Sequence, residues 1–169
     1  GGHLTETPAS LTYASVVSRD SVRLAFLIAG LNELDILACD IGNAYLNAPC
    51  REQIWFVAGP EFGSQQGKVV KIVRALYGLK SSGASWRNMF QSTIREMGFC
   101  PTVVDPDVYR RRTSKPNGFE YYELIVVYVD DVLIISHDPK PHLDYLQQFY
   151  ELNPKSVGVP TRYLGADVA

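Results

Sequence analysis

The sequence predicts an α+β fold, with an antiparallel sheet and helices packed on one face of it. Two aliphatic, mostly β-branched runs, 124–127 and 132–135, are separated by a short acidic turn, which indicates two buried strands. The segment 114–118, Ser-Lys-Pro-Asn-Gly, has the composition of a hairpin loop. Apolar residues recur at helical spacing over 19–31 and 83–97, and we expect these helices to cover the sheet.

The first half of the chain is interpreted from caps and periodicity. Ser18 offers an N-cap for the helix over 19–31. A buried strand over 34–41 follows and carries Asp40 near its end. The other elements predicted for this half are strands at 53–58 and 68–73 on either side of a Gly/Pro/Gln loop at 59–67.

The second half begins with the helix over 83–97, which Gly98 ends. Its remaining elements are then predicted in order: strands at 107–112 and 119–128, the Asp-Asp turn, a strand to 136, a helix at 140–151 and a short strand at 162–168. No internal repeat or interdomain linker interrupts this series, so one domain over 1–169 is expected.

The bulk composition is that of an ordinary globular protein. The chain has 169 residues, of which 46% are hydrophobic and 20% are charged. Its net charge of −2 counts against a nucleic-acid-binding protein, unless basic surfaces lie elsewhere in a longer protein. The chain begins Gly-Gly-His without an initiator Met, which suggests a piece of something larger.

Cysteine usage and hydropathy suggest the compartment. The three cysteines form no CxxC pair, so reduced thiols are favoured over a metal site or a disulfide. No signal peptide opens the sequence, and no uncharged run approaches the ~20 residues of a membrane span. We therefore expect a cytoplasmic or nuclear protein with no membrane partner.

Acidic residues stand where the apolar strands end. Asp130 and Asp131 lie between the two buried runs, and Asp40 ends another apolar segment. Each alone has an ordinary explanation, as a turn residue or a helix cap. Together they are costly, because ionised carboxylates resist leaving water and repel one another. A divalent cation would offset that cost, and a pair of Mg²⁺ ions held by such acids is typical of phosphoryl transfer.

Five segments carry a resemblance to a known family. They are 34–47 (LDILACDIGNAYLN), 75–80 (ALYGLK) with Trp86, 105–109 (DPDVY), 128–131 (YVDD) and 162–165 (RYLG). In this order and with this spacing they resemble the reverse transcriptase of copia-type LTR retrotransposons. The resemblance runs from about 12 to 168, and it implies a right-hand polymerase palm with part of the fingers.

The resemblance also implies an active site. Asp40 and Asp130 correspond to the metal-binding acids, and Asp131 is the third member of the triad. The implied cofactor is a pair of Mg²⁺ ions, with Mn²⁺ as a substitute. Tyr45 corresponds to an aromatic steric gate against the ribonucleotide 2′-OH; its alternative role is that of a core aromatic.

The other implied contacts follow the same motifs. The nucleotide-binding positions are Ile41, Asn43, Ala44, Tyr45, Tyr77 and Gly78, and the nucleic-acid-binding positions are Lys80 and Tyr128. Asn43 equally fits a turn role, and the alternative for Lys80 is a solvated lysine. After Lys80 the chain departs from the family pattern Gln-Ala-Pro-Arg-Ala-Trp, because residues 81–86 are Ser-Ser-Gly-Ala-Ser-Trp. Losing the Pro and Arg puts the tightness of template contact in question.

Partners follow from the same resemblance. They are an RNA or DNA template, a DNA or RNA primer, dNTPs, and the remainder of a polyprotein with integrase, thumb and RNase H. The implied location is a cytoplasmic virus-like particle, with the nucleus as the alternative.

The sequence also leaves room for two rival functions. A phosphate-binding loop at 63–69 fails because it is one residue short and has Val69 where a Mg²⁺-binding Ser or Thr is needed. The second rival is a catalytically inactive retroelement relic that only binds nucleic acid or assembles with partners.

Overall fold

The computed structural model describes residues 15–164 and 166–167. These residues form two compact units. Unit 1 consists of 43–91, and unit 2 combines 15–42 with the described residues from 92 onward. The chain therefore leaves unit 2 after Gly42 and returns to it at Ser92.

The helices and strands are as follows in chain order: α1 (Arg19–Leu31), β1 (Asp35–Asp40), α2 (Ala44–Asn47), β2 (Trp55–Val57), β3 (Val69–Lys71), α3 (Ser82–Glu96), β4 (Cys100–Pro101), β5 (Val108–Ser114), β6 (Glu120–Tyr128), β7 (Asp131–Ser136), α4 (Lys140–Gln147), β8 (Arg162–Tyr163) and β9 (Ala166–Asp167). A 3₁₀ segment, Pro60–Gln65, lies between β2 and β3 and is kinked at Gly63.

The core of unit 2 is an antiparallel sheet with the strand order β1-β7-β6-β5-β4. Strand β7 lies between β1 and β6. It is aliphatic from Val132 to Ile135, and all four of these side chains are fully buried. The strand β6 pairs with it through a tight turn, so Leu124 lies opposite Ile135 and Tyr128 lies opposite Asp131. The predicted α+β class is confirmed.

Helices cover both faces of this sheet, so the prediction of helices on one face is wrong. Helix α1 packs its buried residues against the face that carries Val126 and Leu133. Helix α4 lies on the opposite face, where His142 contacts Glu123. The physical reason is visible in β7, since an uninterrupted apolar strand is buried on both sides, whereas a strand with one solvated face alternates.

Helix α1 begins where its cap predicts. Ser18 accepts a hydrogen bond on Oγ from the Ser21 N–H (3.1 Å). The Ser18 N–H donates to Asp105 Oδ2 (3.0 Å), and Ser15 Oγ donates to Asp107 Oδ2. Both acids of the 105–109 motif therefore tie the segment before α1 to the segment that leads into β5.

Most predicted elements are present, with ends shifted by a few residues. The prediction missed two short elements, α2 and β4. It also extended α4 to 151, whereas the helix ends at Gln147. The single strand predicted at 162–168 is replaced by the β8–β9 hairpin. There Leu164 has a positive φ of 47°, which a continuous strand does not allow.

Unit 1 is organised around a buried acid and the beginning of α3. Glu52 is 5% exposed and accepts hydrogen bonds from the Ser81 N–H (2.9 Å) and Oγ (3.0 Å). Trp86 and Phe90 stack along α3 with ring centroids 5.0 Å apart. By contrast, the β2–β3 hairpin leaves Trp55 and Val69 more than half exposed.

Candidate active site

The predicted acids of unit 2 are brought together by strand register. Asp40 ends β1 and Asp131 begins β7, and the two residues lie directly opposite each other in the antiparallel pair. Asp130 occupies the turn between β6 and β7, and its carbonyl accepts the Ile41 N–H (2.9 Å). Opposed positions of this kind have Cβ atoms about 4.5–5.5 Å apart. The arrangement therefore places three acidic residues at one end of the sheet.

The turn that carries Asp130 is conformationally strained. Val129 has φ of +59°, in the left-handed region. A β-branched side chain is strongly disfavoured there, because its Cβ approaches the following carbonyl. Such strain persists only where the surrounding structure holds it, and it is frequent at functional sites. Here the adjoining ladder of β6 and β7 and the Ile41 hydrogen bond hold the turn.

Crowding of the acids changes their ionisation. Burial, followed by the charge of Asp40, raises the pKa of the Asp130 carboxyl above its usual value. Burial, followed by the charges of Asp130 and Asp40, raises the pKa of Asp131. The buried Cys39 thiol responds to the same field, since burial and the charges of Asp40 and Asp131 raise its pKa to about 12. Cys39 is therefore a neutral thiol at pH 7.

The chemistry of these acids fits a hard divalent cation. No three His, Cys, Asp or Glu side chains within 15–164 and 166–167 are grouped closely enough to hold a metal ion by themselves. Mg²⁺ needs fewer protein ligands, because it is usually held by one or two carboxylates together with water and substrate phosphates. Uncompensated negative charge with raised pKa values is what a bound cation would relieve.

Sequence reasoning missed the segment that borders Asp40. Residues 151–158 run beside β1, with isolated bridges from Leu152 to Ile41 and from Gly158 to Ala38. Between these bridges, Asn153 and Ser156 make hydrogen bonds to Asp40. The segment Asn-Pro-Lys-Ser is polar and looks like an ordinary loop, so only its position next to β1 reveals the contact.

Unit 1 holds the predicted aromatic positions. The rings of Tyr45 and Tyr77 contact each other, with centroids 4.4 Å apart and planes inclined by 42°. Tyr45 is half-buried and Tyr77 is 67% exposed. Gly78 has φ of +88°, and a Cβ on it would meet no atom within 4 Å. The residue therefore satisfies a left-handed backbone and leaves its surroundings open.

The other predicted contact positions differ in accessibility. Ile41 and Ala44 are at most 1% exposed, so their side chains are packing residues and only their backbone is open to a ligand role. Asn43 is exposed and has φ of +50° at the start of α2. Lys80 and Tyr128 are half-buried. Tyr128 lies opposite Asp131 in the β6–β7 pair and packs against the hydrophobic core.

The departure from the family pattern after Lys80 has a structural use. Ser81 binds the buried Glu52, as described above. The Ser82 hydroxyl donates to the Leu76 carbonyl (2.7 Å) and accepts the Leu76 N–H (3.1 Å). These hydroxyls fasten the 76–82 loop at the beginning of α3.

Comparison with known proteins decides the family. The family described as reverse transcriptase (RNA-dependent DNA polymerase) matches residues 6–169. The chain belongs to this family. Its relatives among curated proteins are Pol polyproteins and related proteins of copia-type retrotransposons.

Three relatives show the extent of the match. The retrovirus-related Pol polyprotein from transposon TNT 1-94 of Nicotiana tabacum is 30% identical over 128 residues, which are 75% of this chain and 9% of that protein. The putative transposon Ty5-1 protein YCL074W of Saccharomyces cerevisiae is 30% identical over 132 residues, 76% of this chain and 41% of that protein. The Pol polyprotein from transposon RE1 of Arabidopsis thaliana is 27% identical over 130 residues, 76% of this chain and 8% of that protein. This reverse transcriptase chain thus spans less than half of each relative.

Within the described residues, no helix is both long enough and apolar enough to cross a bilayer.

Proposed function

We propose that this chain is the palm and part of the fingers of an RNA-directed DNA polymerase, which adds dNTPs to a primer 3′-OH and releases pyrophosphate. The observation that carries the proposal is the register of β1 and β7, which sets Asp40 opposite Asp131 beside the turn residue Asp130. Membership of the reverse transcriptase family supports it.

The acids would hold the catalytic metal ions. Asp40 and Asp130 would bind two Mg²⁺ ions, or Mn²⁺ in their place, and Asp131 would support them through its charge. When bound, such ions activate the attacking hydroxyl and stabilise charge on the transferring phosphoryl group. The contribution of the protein is to fix three acidic residues at one end of the sheet.

Nucleotide selection would fall to Tyr45, Tyr77 and Gly78, which belong to unit 1. The Tyr45 ring, packed against Tyr77, would lie under the deoxyribose and exclude a 2′-OH. The open backbone at Gly78 would allow close approach of the base pair. Asn43 would contact the triphosphate through its amide, alongside the backbone of Ile41 and Ala44. Lys80 and Tyr128 would contact template or primer.

The remaining partners are those of a polyprotein. RNA or DNA template, DNA or RNA primer and dNTPs would be the substrates, and further fingers, thumb, RNase H and integrase would lie in the same precursor. A cytoplasmic virus-like particle would be the site of synthesis. Because the chain spans 9% or less of two Pol polyproteins, we expect the isolated chain to be a weak polymerase.

The deciding experiment is Mg²⁺-dependent primer extension on an RNA template. It compares this chain with a version extended by flanking fingers and thumb, each with and without Asp130→Asn. Asp138→Asn is the matched control, because it removes an exposed acid beyond the other end of β7. We expect extension by the longer protein to fall at least ~1,000-fold in Asp130→Asn and to be unchanged in Asp138→Asn.

The alternative function predicts a different result. An inactive relic would bind primer–template with similar affinity whether residue 130 is Asp or Asn, and it would extend no primer. A folded, extended protein with this behaviour would refute the polymerase proposal.

A further inference from the structure

The loop between α4 and β8 makes contact with Asp40 at three of its atoms. The Asp40 N–H donates to Ser156 Oγ (2.8 Å), and the Asp40 carbonyl accepts the Asn153 N–H (2.9 Å). The Asn153 amide also donates from Nδ2 to Asp40 Oδ2 (3.4 Å). Backbone and carboxylate of one acid are thus both held by a single segment.

This segment is itself internally fastened. The Ser156 hydroxyl donates to the Asn153 carbonyl (2.8 Å), while Asn153 Oδ1 accepts the Lys155 N–H (3.2 Å). The second bond orients the amide, because an oxygen engaged by Lys155 leaves the NH₂ group to face Asp40. Bridges at Leu152 and Gly158 fix the segment to β1 on either side.

The chemistry of the contact preserves the charge of Asp40. An amide donor neutralises no charge, whereas a Lys or Arg partner would compete with a bound cation. In the part of the chain that the structure describes, Asn153 is the side chain that donates to the Asp40 carboxylate, and it does so at Oδ2. Among the described residues, no side chain donates to the other carboxylate oxygen, Oδ1.

We propose that Asn153 and Ser156 are positioning residues for Asp40, which orient its carboxylate for metal binding. The inference rests on the proposed function, since it assigns the metal to Asp40. Outer-shell partners of metal-binding carboxylates commonly change metal affinity when they are removed, even though they do not touch the metal.

The test is Mn²⁺ binding measured by electron paramagnetic resonance or calorimetry, together with thermal unfolding without metal. Asn153→Ala is compared with Asn117→Ala, whose Oδ1 accepts the Phe119 N–H (3.0 Å) in the β5–β6 loop and is therefore a matched turn asparagine. We expect Asn153→Ala to weaken Mn²⁺ binding about tenfold. We expect Asn117→Ala to leave Mn²⁺ binding unchanged, with a similar change in melting temperature.

A second pair of variants isolates the hydroxyl. Ser156→Ala removes the acceptor for the Asp40 N–H, while Ser156→Thr keeps it. We expect weaker Mn²⁺ binding in Ser156→Ala and recovery to within about twofold of the original chain in Ser156→Thr.

The outcomes separate this inference from the proposed function. Equal Mn²⁺ affinity in Asn153→Ala, Asn117→Ala and the original chain would show that the loop is only structural, and would overturn the inference alone. If the original chain bound Mn²⁺ no better than Asp130→Asn, the metal site itself would be refuted, and the inference would fail with it.

Discussion

At the scale of single residues, Asp130 and Asp131 destabilise the fold that displays them. Both carboxyls have raised pKa values in the folded chain because burial and neighbouring acids disfavour their charge. A raised pKa means that the folded state binds the proton more tightly than the unfolded state. Protonation of these carboxyls therefore stabilises the fold. This stabilisation is fully present below the ordinary pKa of 3.8 and is lost as the pH rises through the raised pKa.

Because the charge of Asp130 destabilises the folded chain, removing that charge should stabilise it. We expect Asp130→Asn to raise the melting temperature of the metal-free chain at pH 7 by no more than about 2 °C, since both carboxyls are partly solvated. The gain should shrink as the pH is lowered through the raised pKa of Asp130, because the carboxyl takes up a proton there. Thermal unfolding at pH 7 and pH 4 measures this. A difference that does not vary with pH would contradict the electrostatic explanation.

Tyr163 provides a second test at this scale. Its side chain is 7% exposed, and its hydroxyl has no hydrogen-bond partner among the described residues. Burial, followed by the charge of Asp131, raises the pKa of this hydroxyl. An unsatisfied buried hydroxyl is destabilising, so we expect Tyr163→Phe to raise the free energy of unfolding by up to about 1 kcal/mol.

Tyr150→Phe is the matched comparison for Tyr163→Phe. Tyr150 is equally buried, but its hydroxyl is hydrogen-bonded to Thr93 Oγ1 (2.6 Å). Loss of this hydrogen bond in Tyr150→Phe should lower the free energy of unfolding by about 1 kcal/mol in urea titrations. Equal destabilisation by the two variants would mean that the Tyr163 hydroxyl has a partner in solution.

At the scale of elements, a buried ionic network joins α4 to the sheet. Glu123 on β6 is 2% exposed, and it accepts hydrogen bonds from Arg111 Nε (2.6 Å) and Ser136 Oγ (2.9 Å). The ring of His142 on α4 also contacts this carboxylate, with Nε2 2.8 Å from Glu123 Oε2. Burial raises the pKa of Glu123, but hydrogen bonds from His142 and Arg111 outweigh it and lower the pKa to about 2.

The lowered pKa of Glu123 makes stability depend on pH in the opposite direction from the raised pKa values of Asp130 and Asp131. The stabilisation from Glu123 is present above its ordinary pKa of 4.5 and is lost as the pH falls towards 2. We expect Glu123→Gln to lower the free energy of unfolding at pH 7 by about 3 kcal/mol, because it leaves Arg111 without its buried partner. The wild-type chain should lose this advantage between pH 4.5 and 2.

The control for Glu123 lies on the same two strands. Glu120 pairs with Arg112 at 2.5 Å, but both side chains are about two-thirds exposed. We expect Glu120→Gln to cost less than about 1 kcal/mol in urea unfolding. If Glu123→Gln and Glu120→Gln lowered the free energy of unfolding by similar amounts, the role assigned to burial would be contradicted.

Periodicity predicted the elements that form from their own residues and missed those that depend on distant ones. The helix at 19–31 and the strands around the acidic turn follow from local pattern, cap and turn chemistry. The two-residue strand β4 forms only because β5 offers it a partner. The same holds for the site. The opposition of Asp40 and Asp131 could be predicted from strand ends, whereas the hydrogen bond of Asn153 joins it to a residue more than a hundred positions away in sequence.

At the scale of the whole molecule, the two units bury their strands to different degrees. In unit 2, residues of β6 and β7 such as Ile125, Leu133 and Ile134 are fully buried. In unit 1, the β2–β3 hairpin leaves Trp55 54% exposed and Val69 68% exposed. Both are antiparallel ladders with backbone hydrogen bonds, so burial is the property that separates them.

Amide hydrogen exchange should therefore be slower in the β6–β7 hairpin than in the β2–β3 hairpin. We expect amides of β6 and β7 to exchange at least ~100-fold more slowly than those of β2 and β3, because exposed ladders open locally without global unfolding. Exchange followed by mass spectrometry on the whole chain measures both hairpins at once. Equal protection would show that unit 1 is stabilised by contacts beyond its own strands. Slow exchange confined to β6 and β7 would mean that the strands carrying the acids stay closed in the isolated chain, so that weak polymerisation would reflect missing partners rather than a melted site.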